Sequence, residues 1–379
     1  MVENNEKLYM ELLNFDADKK EKWVKQRLPY SVLFELTAKC NMNCVHCYLQ
    51  NAHNAKELSY DRVIEIIDIL YEKGILFLTF TGGEILLRKD FIDIYLYAKK
   101  KGFLVELFTN GYLFDDEIIE TLAEYPPLLV DISLYGASEN TYYKVTGLHD
   151  AFTRVIQNCK KLKKAGIRVS LKSPIIDFTL HEIENMQMLA DKLKIPFVYT
   201  FEICNTIDKQ NVPKMHQVPL NKALAYEFAN HYKQIESEGK KSKSNYDEII
   251  SDLQSNEKVY SCNVAINSFV IDYNGNMCPC MKLRHRGIEL EKNNYEEIWK
   301  NFKKYSMQIA TENYKCKGCE ALYYCDICPA EMDFMYNNPE YRPKNACKCA
   351  YIRKAFYENK ITFDEALAEA KVFEKGGKI

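Results

Sequence analysis

The sequence predicts an α/β protein in which six βα units build a parallel sheet, followed by a smaller Cys-rich α+β domain. Two observations carry this. From about residue 31 to 203, short β-branched or apolar runs alternate with amphipathic stretches. Beyond that the cysteines crowd together, seven falling in one spaced pattern between Cys262 and Cys347. A chain of 379 residues suits one large domain plus a smaller one.

The six strands read as VLFELT (32–37), ILFLTFT (75–81), FLVELFT (103–109), LLVDISL (128–134), IRVSLKS (167–173) and FVYTFEI (197–203). Between the first two, Val63, Ile66, Ile67 and Leu70 recur at helical spacing, with Ser59 as N-cap and Gly74 as stop. Gly102 and Gly166 repeat that stop after Lys-rich last turns, which suit the negative helix end. Six such units with right-handed crossovers either curl into a partial barrel or spread as an open doubly wound sheet. In both, the site lies at the strands' C-terminal ends. No GxGxxG follows the first strand, which counts against a dinucleotide fold. The polar GKKSKS segment (239–244) marks the domain boundary, giving an N-terminal segment 1–30, a barrel or sheet domain 31–238 and a Cys-rich domain 239–379. In the last, SFVIDYNGNMCPC reads as a hairpin with an I′-type turn at Asn274-Gly275, and helices are expected near 294–305, 348–358 and 362–374.

Composition narrows the function classes. A formal net charge of -2 gives no global field for nucleic acid or an anionic membrane surface. No run of about 18 apolar residues occurs, and MVENNEK lacks the features of an export signal. A cytoplasmic protein is expected. Fourteen Cys in a reducing compartment point to metal ligation rather than disulfides. Cys159 and Cys204 read as ordinary core thiols.

Cys40, Cys44 and Cys47 form CxxxCxxC immediately after the first strand. Three thiolates from one short loop can hold three irons of a 4Fe–4S cube and leave the fourth iron open, which makes it a reaction site. The competing reading is a zinc knuckle completed by His46 or His53. Adjacent His46 and Cys47 do not easily point at one small ion.

The run CNMNCVHCY resembles the signature of the radical S-adenosylmethionine (SAM) superfamily, with His46 at its aromatic position. The resemblance continues in order through TGGE (Thr81 to Glu84), TNGY (Thr109 to Tyr112) and DISLYG (Asp131 to Gly136). It implies a partial (β/α)6 TIM barrel and an open iron chelated by the methionine amine and carboxylate of SAM. Gly82, Gly83 and Glu84 would hold the amino group, Ser133 would contact the ribose, Lys172 would meet the carboxylate, and the Tyr48 backbone would pair with adenine. Glycines permit close backbone approach, and a carboxylate complements an ammonium. The chemistry implied is the cofactor's: reductive cleavage to a 5′-deoxyadenosyl radical that abstracts an unactivated hydrogen, while the barrel orients the target and excludes water.

The second cysteine pattern resembles the C-terminal SPASM domain of peptide maturases. Cys262 is followed by Gly275-x4-Cys280, then Cys316-x2-Cys319-x5-Cys325-x2-Cys328, then Cys347. The usual last gap inside the block is three residues and here is two. The resemblance implies two auxiliary 4Fe–4S clusters. Cys316, Cys319, Cys325 and Cys347 would hold the distal one. Cys262, Cys280 and Cys328 would hold the nearer one, with Cys278 or an open iron completing it and Cys349 as a spare ligand. Taken alone, the CxxC pairs also fit zinc ribbons in a non-catalytic interaction protein.

Families with both domains mostly act on peptides, so a ribosomally made precursor peptide that receives a thioether, a carbon–carbon crosslink or an epimerised residue is the expected substrate. A small metabolite or cofactor precursor is the alternative. Sulfatase maturases carry Asp directly after the Cys of the Gly-x4-Cys element; here Met281 stands there, which disfavours formylglycine formation. About thirty residues precede the first strand, too few for a leader-recognition domain. A separate recognition protein is therefore expected, together with a low-potential donor of the flavodoxin or ferredoxin type.

Overall fold

A computed structural model describes residues 23–238, 257–358 and 360–371; the boundary segment 239–244 lies outside them. The described residues fall into two compact units. The first comprises residues 23–217 and 264–303, the second 218–238, 257–263 and 304–371.

The first unit is built on one sheet of order β6-β5-β4-β3-β2-β1-β7-β8-β9. Its six main strands are β1 (Ser31–Thr37), β2 (Phe77–Gly82), β3 (Leu104–Thr109), β4 (Leu129–Ser133), β5 (Val169–Pro174) and β6 (Phe197–Thr200). Each pairs in parallel with its sequence neighbour. A doubly wound sheet reverses its strand order at a switch point; this order runs without reversal, so the barrel alternative holds. β6 is the most shortened strand, ending at Thr200 where the sequence pattern extends to 203.

Along the strands one side-chain parity is mainly apolar: Val32, Phe34, Leu36, Leu78, Phe80, Val105, Leu107, Val130, Ile132 and Leu171 are buried. The other parity carries Glu35, Thr79, Thr81, Glu106, Asp131, Ser133 and Lys172. Alternation of this kind separates a helix-covered face from an interior that holds polar groups. The first helix, Tyr60–Glu72, starts where Ser59 accepts from the Arg62 N–H, and buries the expected Val63, Ile66, Ile67 and Leu70. Gly74 follows its C-cap at φ +75°, the left-handed conformation that glycine tolerates best.

Residues 264–303 belong with the barrel rather than with the Cys-rich domain to which the sequence boundary assigns them. The cause is β7 (Ser268–Ile271), which pairs in parallel with β1 from Ser31↔Ser268 to Phe34↔Ile271. β7 then forms the expected hairpin with β8 (Asn276–Cys278), and β9 (Ile288–Glu289) closes the sheet. The turn is not a two-residue I′ type. Asp272 Oδ1 accepts from the Asn274 and Asn276 N–H groups at 2.9 Å each, so a side chain organises a longer loop.

In the second unit, helices Leu220–Glu238, Lys344–Tyr357 and Phe363–Lys371 pack around Leu224, Phe228, Ile352, Phe356, Ala366 and Ala370. Phe228 stacks on Phe356 with centroids 4.0 Å apart. Phe228→Ala is expected to cost about 3–5 kcal/mol, read as a lowered urea midpoint for this unit.

Candidate active site

The segment after β1 carries Cys40, Cys44 and Cys47, and backbone bonds fix it against the helix Glu139–Thr146: Asn43 N–H donates to Thr146 O at 2.8 Å and Val45 N–H to Val145 O at 3.0 Å. All three thiols open onto one cavity of about 310 Å³ at the strands' C-terminal ends. Burial pushes the Cys40 thiol up to about 12 and Cys47 to about 11, and holds Cys44 well above its ordinary value. Repulsion among the three adds to the effect for Cys40 and Cys44. Opposing it, Met42 N–H donates to Cys40 Sγ at 3.4 Å, Leu49 N–H to Cys47 Sγ at 3.3 Å, and Asn110 Nδ2 to Cys40 Sγ at 3.8 Å. Donors aimed at sulfur, in a buried site that disfavours bare thiolates, fit a bound cationic iron–sulfur cluster. Among the described residues, no three His, Cys, Asp or Glu side chains converge on a single-ion site.

His46 lines the cavity with its ring 5.2 Å from that of Tyr135, and burial depresses it to about 4, so it is neutral at pH 7. His53 Nε2 lies 3.9 Å from Cys47 Sγ.

The second wall comes from the end of β2. A Cβ on Gly82 would meet Thr37 O at 2.1 Å, and one on Gly83 would meet Lys39 O at 2.2 Å. Both glycines are therefore required by contact between the β2 end and the start of the cysteine loop, a tighter demand than the approach of a ligand. Gly83 N–H donates to Thr37 O and Glu84 N–H to Lys39 O, each at 2.8 Å.

Glu84 is placed differently from the expectation. Its carboxylate is fully buried, is absent from the cavity wall, and accepts from Thr109 Oγ1 (2.7 Å), Asn110 N–H (2.7 Å) and Leu86 N–H (3.0 Å). It joins the ends of β2 and β3. Burial raises its pKa despite these donors. Ser133 and Tyr48 do line the cavity. Lys172 does not: it pairs with buried Asp131 and lies 4.3 Å from the Phe108 ring centroid.

Several wall residues escaped the sequence reading as site residues, among them Tyr135, Asn110, Glu202 and Cys204. Tyr135 and Asn110 sit inside the quoted motifs DISLYG and TNGY, which was the available signal. Glu202 and Cys204 follow β6 without any motif, and Cys204 stands on the cavity wall rather than in the core. Cys159 is a core thiol.

In the second unit Cys316 and Cys347 lie within electrostatic reach of Cys325, and Cys316 and Cys319 within reach of Cys347. After burial, the Cys325 thiol is raised by Cys316 and Cys347, and the Cys347 thiol by Cys316 and Cys319. Arg342 Nε donates to Cys316 Sγ at 3.0 Å. Cys328 precedes the helix Pro329–Tyr336. Cys262 is exposed in this unit, whereas Cys280 opens the 3₁₀ segment Met281–Arg286 of the first. Two further cysteines offered as ligands are buried. Cys278 is fully buried, its thiol directed to Asn276 O and Arg284 O and seated against Gly287. Cys349 lies in the apolar core with Leu224 and Phe228.

Residues 34–190 match the family model described as the Radical SAM superfamily. The chain is 32% identical to the Fe-coproporphyrin III synthase of Methanosarcina barkeri over 53% of its own length and 48% of that protein. It is 31% identical to the antilisterial bacteriocin subtilosin biosynthesis protein AlbA of Bacillus subtilis over 42% of its length and 36% of that protein. The aligned stretches thus span about half or less of these curated relatives. The crystal structure of Streptococcus suis SuiB bound to precursor peptide SuiA shares the fold, with a TM-score of 0.63 and 17% identity over 87% of this chain and 79% of that one.

Glu84→Ala strands three donors and is expected to lower stability by about 3 kcal/mol, whereas Glu84→Gln, whose amide oxygen still accepts, loses roughly half as much. Equilibrium urea unfolding of the two variants checks this.

Proposed function

We propose, from the premise that residues 34–190 are a radical SAM domain, that the chain uses SAM and a 4Fe–4S cluster to abstract hydrogen from a ribosomally made peptide and so install a post-translational modification. The observation that carries the reading is the convergence of Cys40, Cys44 and Cys47, with sulfur-directed N–H donors, on one cavity at the barrel's C-terminal end. When bound, the cluster and SAM supply reductive carbon–sulfur cleavage and the adenosyl radical that takes the substrate hydrogen. The three cysteines hold the cluster, the Gly82-Gly83 backbone and Ser133 are the cofactor contacts on the wall, and the Tyr48 backbone takes adenine. Lys172, expected to meet the cofactor carboxylate, is paired with Asp131. Apolar wall residues such as Phe108 and Ile203 exclude water from the reacting centre.

In the second unit, the electrostatic reach of Cys347 to Cys316, Cys319 and Cys325, together with their spacing, supports an auxiliary cluster there. A peptide is the preferred substrate because relatives named for subtilosin biosynthesis and for sporulation killing factor maturation are each 31% identical over 42% of this chain, and because the fold matches a protein solved with its precursor peptide. An alternative, a tetrapyrrole or other cofactor precursor, draws on the similarity to Fe-coproporphyrin III synthase and to an AdoMet-dependent heme synthase of the same organism. Co-expression with a candidate precursor followed by mass spectrometry separates them: a mass change on the peptide supports the first, and turnover of a porphyrin with an unmodified peptide supports the second.

Replacing Cys40, Cys44 or Cys47 with Ala is expected to abolish 5′-deoxyadenosine formation under reducing anaerobic conditions, and cleavage retained by Cys44→Ala would overturn the assignment. Cys316→Ala is expected to retain 5′-deoxyadenosine formation while losing modified product, with both quantified by liquid chromatography and mass spectrometry.

A further inference from the structure

The 3₁₀ segment Met281–Arg286 follows Cys278 and Cys280 and is fastened to the barrel at two points for which the cofactor reading has no use. At the first, Arg284 grips Glu35 of β1 with both arms: Nη1 donates to Oε2 at 2.7 Å and Nη2 donates to Oε1. Glu35 is wholly buried, and the Arg284 side chain is 11% exposed. The Tyr48 hydroxyl donates to the same Glu35 Oε1 at 2.7 Å, and the guanidinium lies 5.1 Å from the Tyr48 ring centroid. At the second point Lys282 pairs with Glu202, just after β6. That pair is half open to solvent, 19% and 55%, and holds weakly. β1 and β6 are the two ends of the run of six parallel strands, so the segment touches both, with Arg284 as the firm attachment.

Tyr48 is the informative member. It immediately follows Cys47 and stands on the cavity wall. One buried carboxylate thus holds both the cysteine loop, through Tyr48, and the Cys278–Cys280 segment, through Arg284, although these lie more than two hundred residues apart in sequence. A carboxylate buried this deeply does not tolerate loss of its cation, so neither element shifts without the other.

We propose that Glu35, Arg284 and Tyr48 are positioning residues that couple the cofactor cavity to the segment bearing Cys278 and Cys280: filling the cavity tightens residues 276–287, and loosening that segment weakens cofactor binding. This rests on the radical SAM reading. Linkage requires the two effects to be reciprocal and equal in free energy.

The test is hydrogen–deuterium exchange on the anaerobically reconstituted full chain, unreduced, with and without saturating SAM, paired with equilibrium dialysis of SAM. In the wild type, SAM is expected to slow exchange across residues 276–287 by about fivefold or more. Tyr48→Phe, which removes only the hydroxyl, and Arg284→Lys, which keeps the charge but not the paired grip, are expected to lose most of that protection at saturating SAM. Each is expected to bind SAM more weakly by a matching factor, with iron content retained. Absence of SAM-dependent protection in the wild type, or full protection in Tyr48→Phe, overturns the coupling. Should Arg284→Lys fail to fold, Tyr48→Phe decides alone. A wild type that retains no SAM in dialysis overturns the cofactor reading itself, an outcome distinct from a wild type that binds SAM without protecting the segment.

Discussion

Burying three thiols in one cavity sets the constraint to which the rest of the barrel answers. Each is a ligand only as a thiolate, and desolvation favours the neutral form of each. Hydrogen bonds from Met42, Leu49 and Asn110 recover part of that cost, but N–H donors alone do not hold three anions together in a low-dielectric pocket. The proposed cationic cluster would. The loop therefore has to be held in shape by contacts that do not depend on the cluster, and the structure supplies these from three sides: the helix Glu139–Thr146, the end of β2, and the buried Glu35.

The side at β2 explains why a short motif serves so well as a marker. Gly82 and Gly83 leave room for the carbonyls of Thr37 and Lys39, so the β2 end and the cysteine loop make backbone contact with no side chain between them. Glu84 then turns inward and collects Thr109 and Asn110 from the next strand, and Asn110 in turn reaches Cys40. The TGGE and TNGY runs are thus one hydrogen-bonded unit written in two places in the sequence. Their function at this level is to carry the position of Cys40 across three strand ends; a cofactor would meet the backbone and the Ser133 wall that this arrangement exposes.

This also marks what was legible before the structure. Strand alternation and the caps at Ser59 and Gly74 are local signals, and they located the barrel strands to within a few residues. The CxxxCxxC spacing located the cavity, because ligands clustered in sequence on one loop cannot be far apart in space. Chemistry that depends on long-range pairing was not legible. Nothing in VLFELT says that Glu35 meets Arg284, nothing in VSLKS says that Lys172 spends its charge on Asp131, and the parallel pairing of β7 with β1 joins segments separated by most of the chain. The packing of Cys278 and Cys349 is of the same kind: spacing in a Cys-rich run does not show that one thiol is seated against Gly287 and the other lies in a core with Leu224 and Phe228.

The Glu35–Arg284 pair is hard to account for as a stabiliser. Withdrawing two charges from water costs several kcal/mol per ion, and apolar replacements of similar volume are often as stable or more so, by about 1–4 kcal/mol. What an ion pair of this kind offers over an apolar contact is a defined geometry: two parallel N–H···O bonds admit one orientation, whereas packed methyl groups admit several. The third donor on the same carboxylate is the hydroxyl of the residue that ends the cysteine motif. A fold that needed only cohesion between β1 and the segment after Cys280 had cheaper solutions. One that needs the cavity wall at Tyr48 and the Cys280 segment held in a fixed relation does not, because only a shared, directional acceptor transmits position from one to the other.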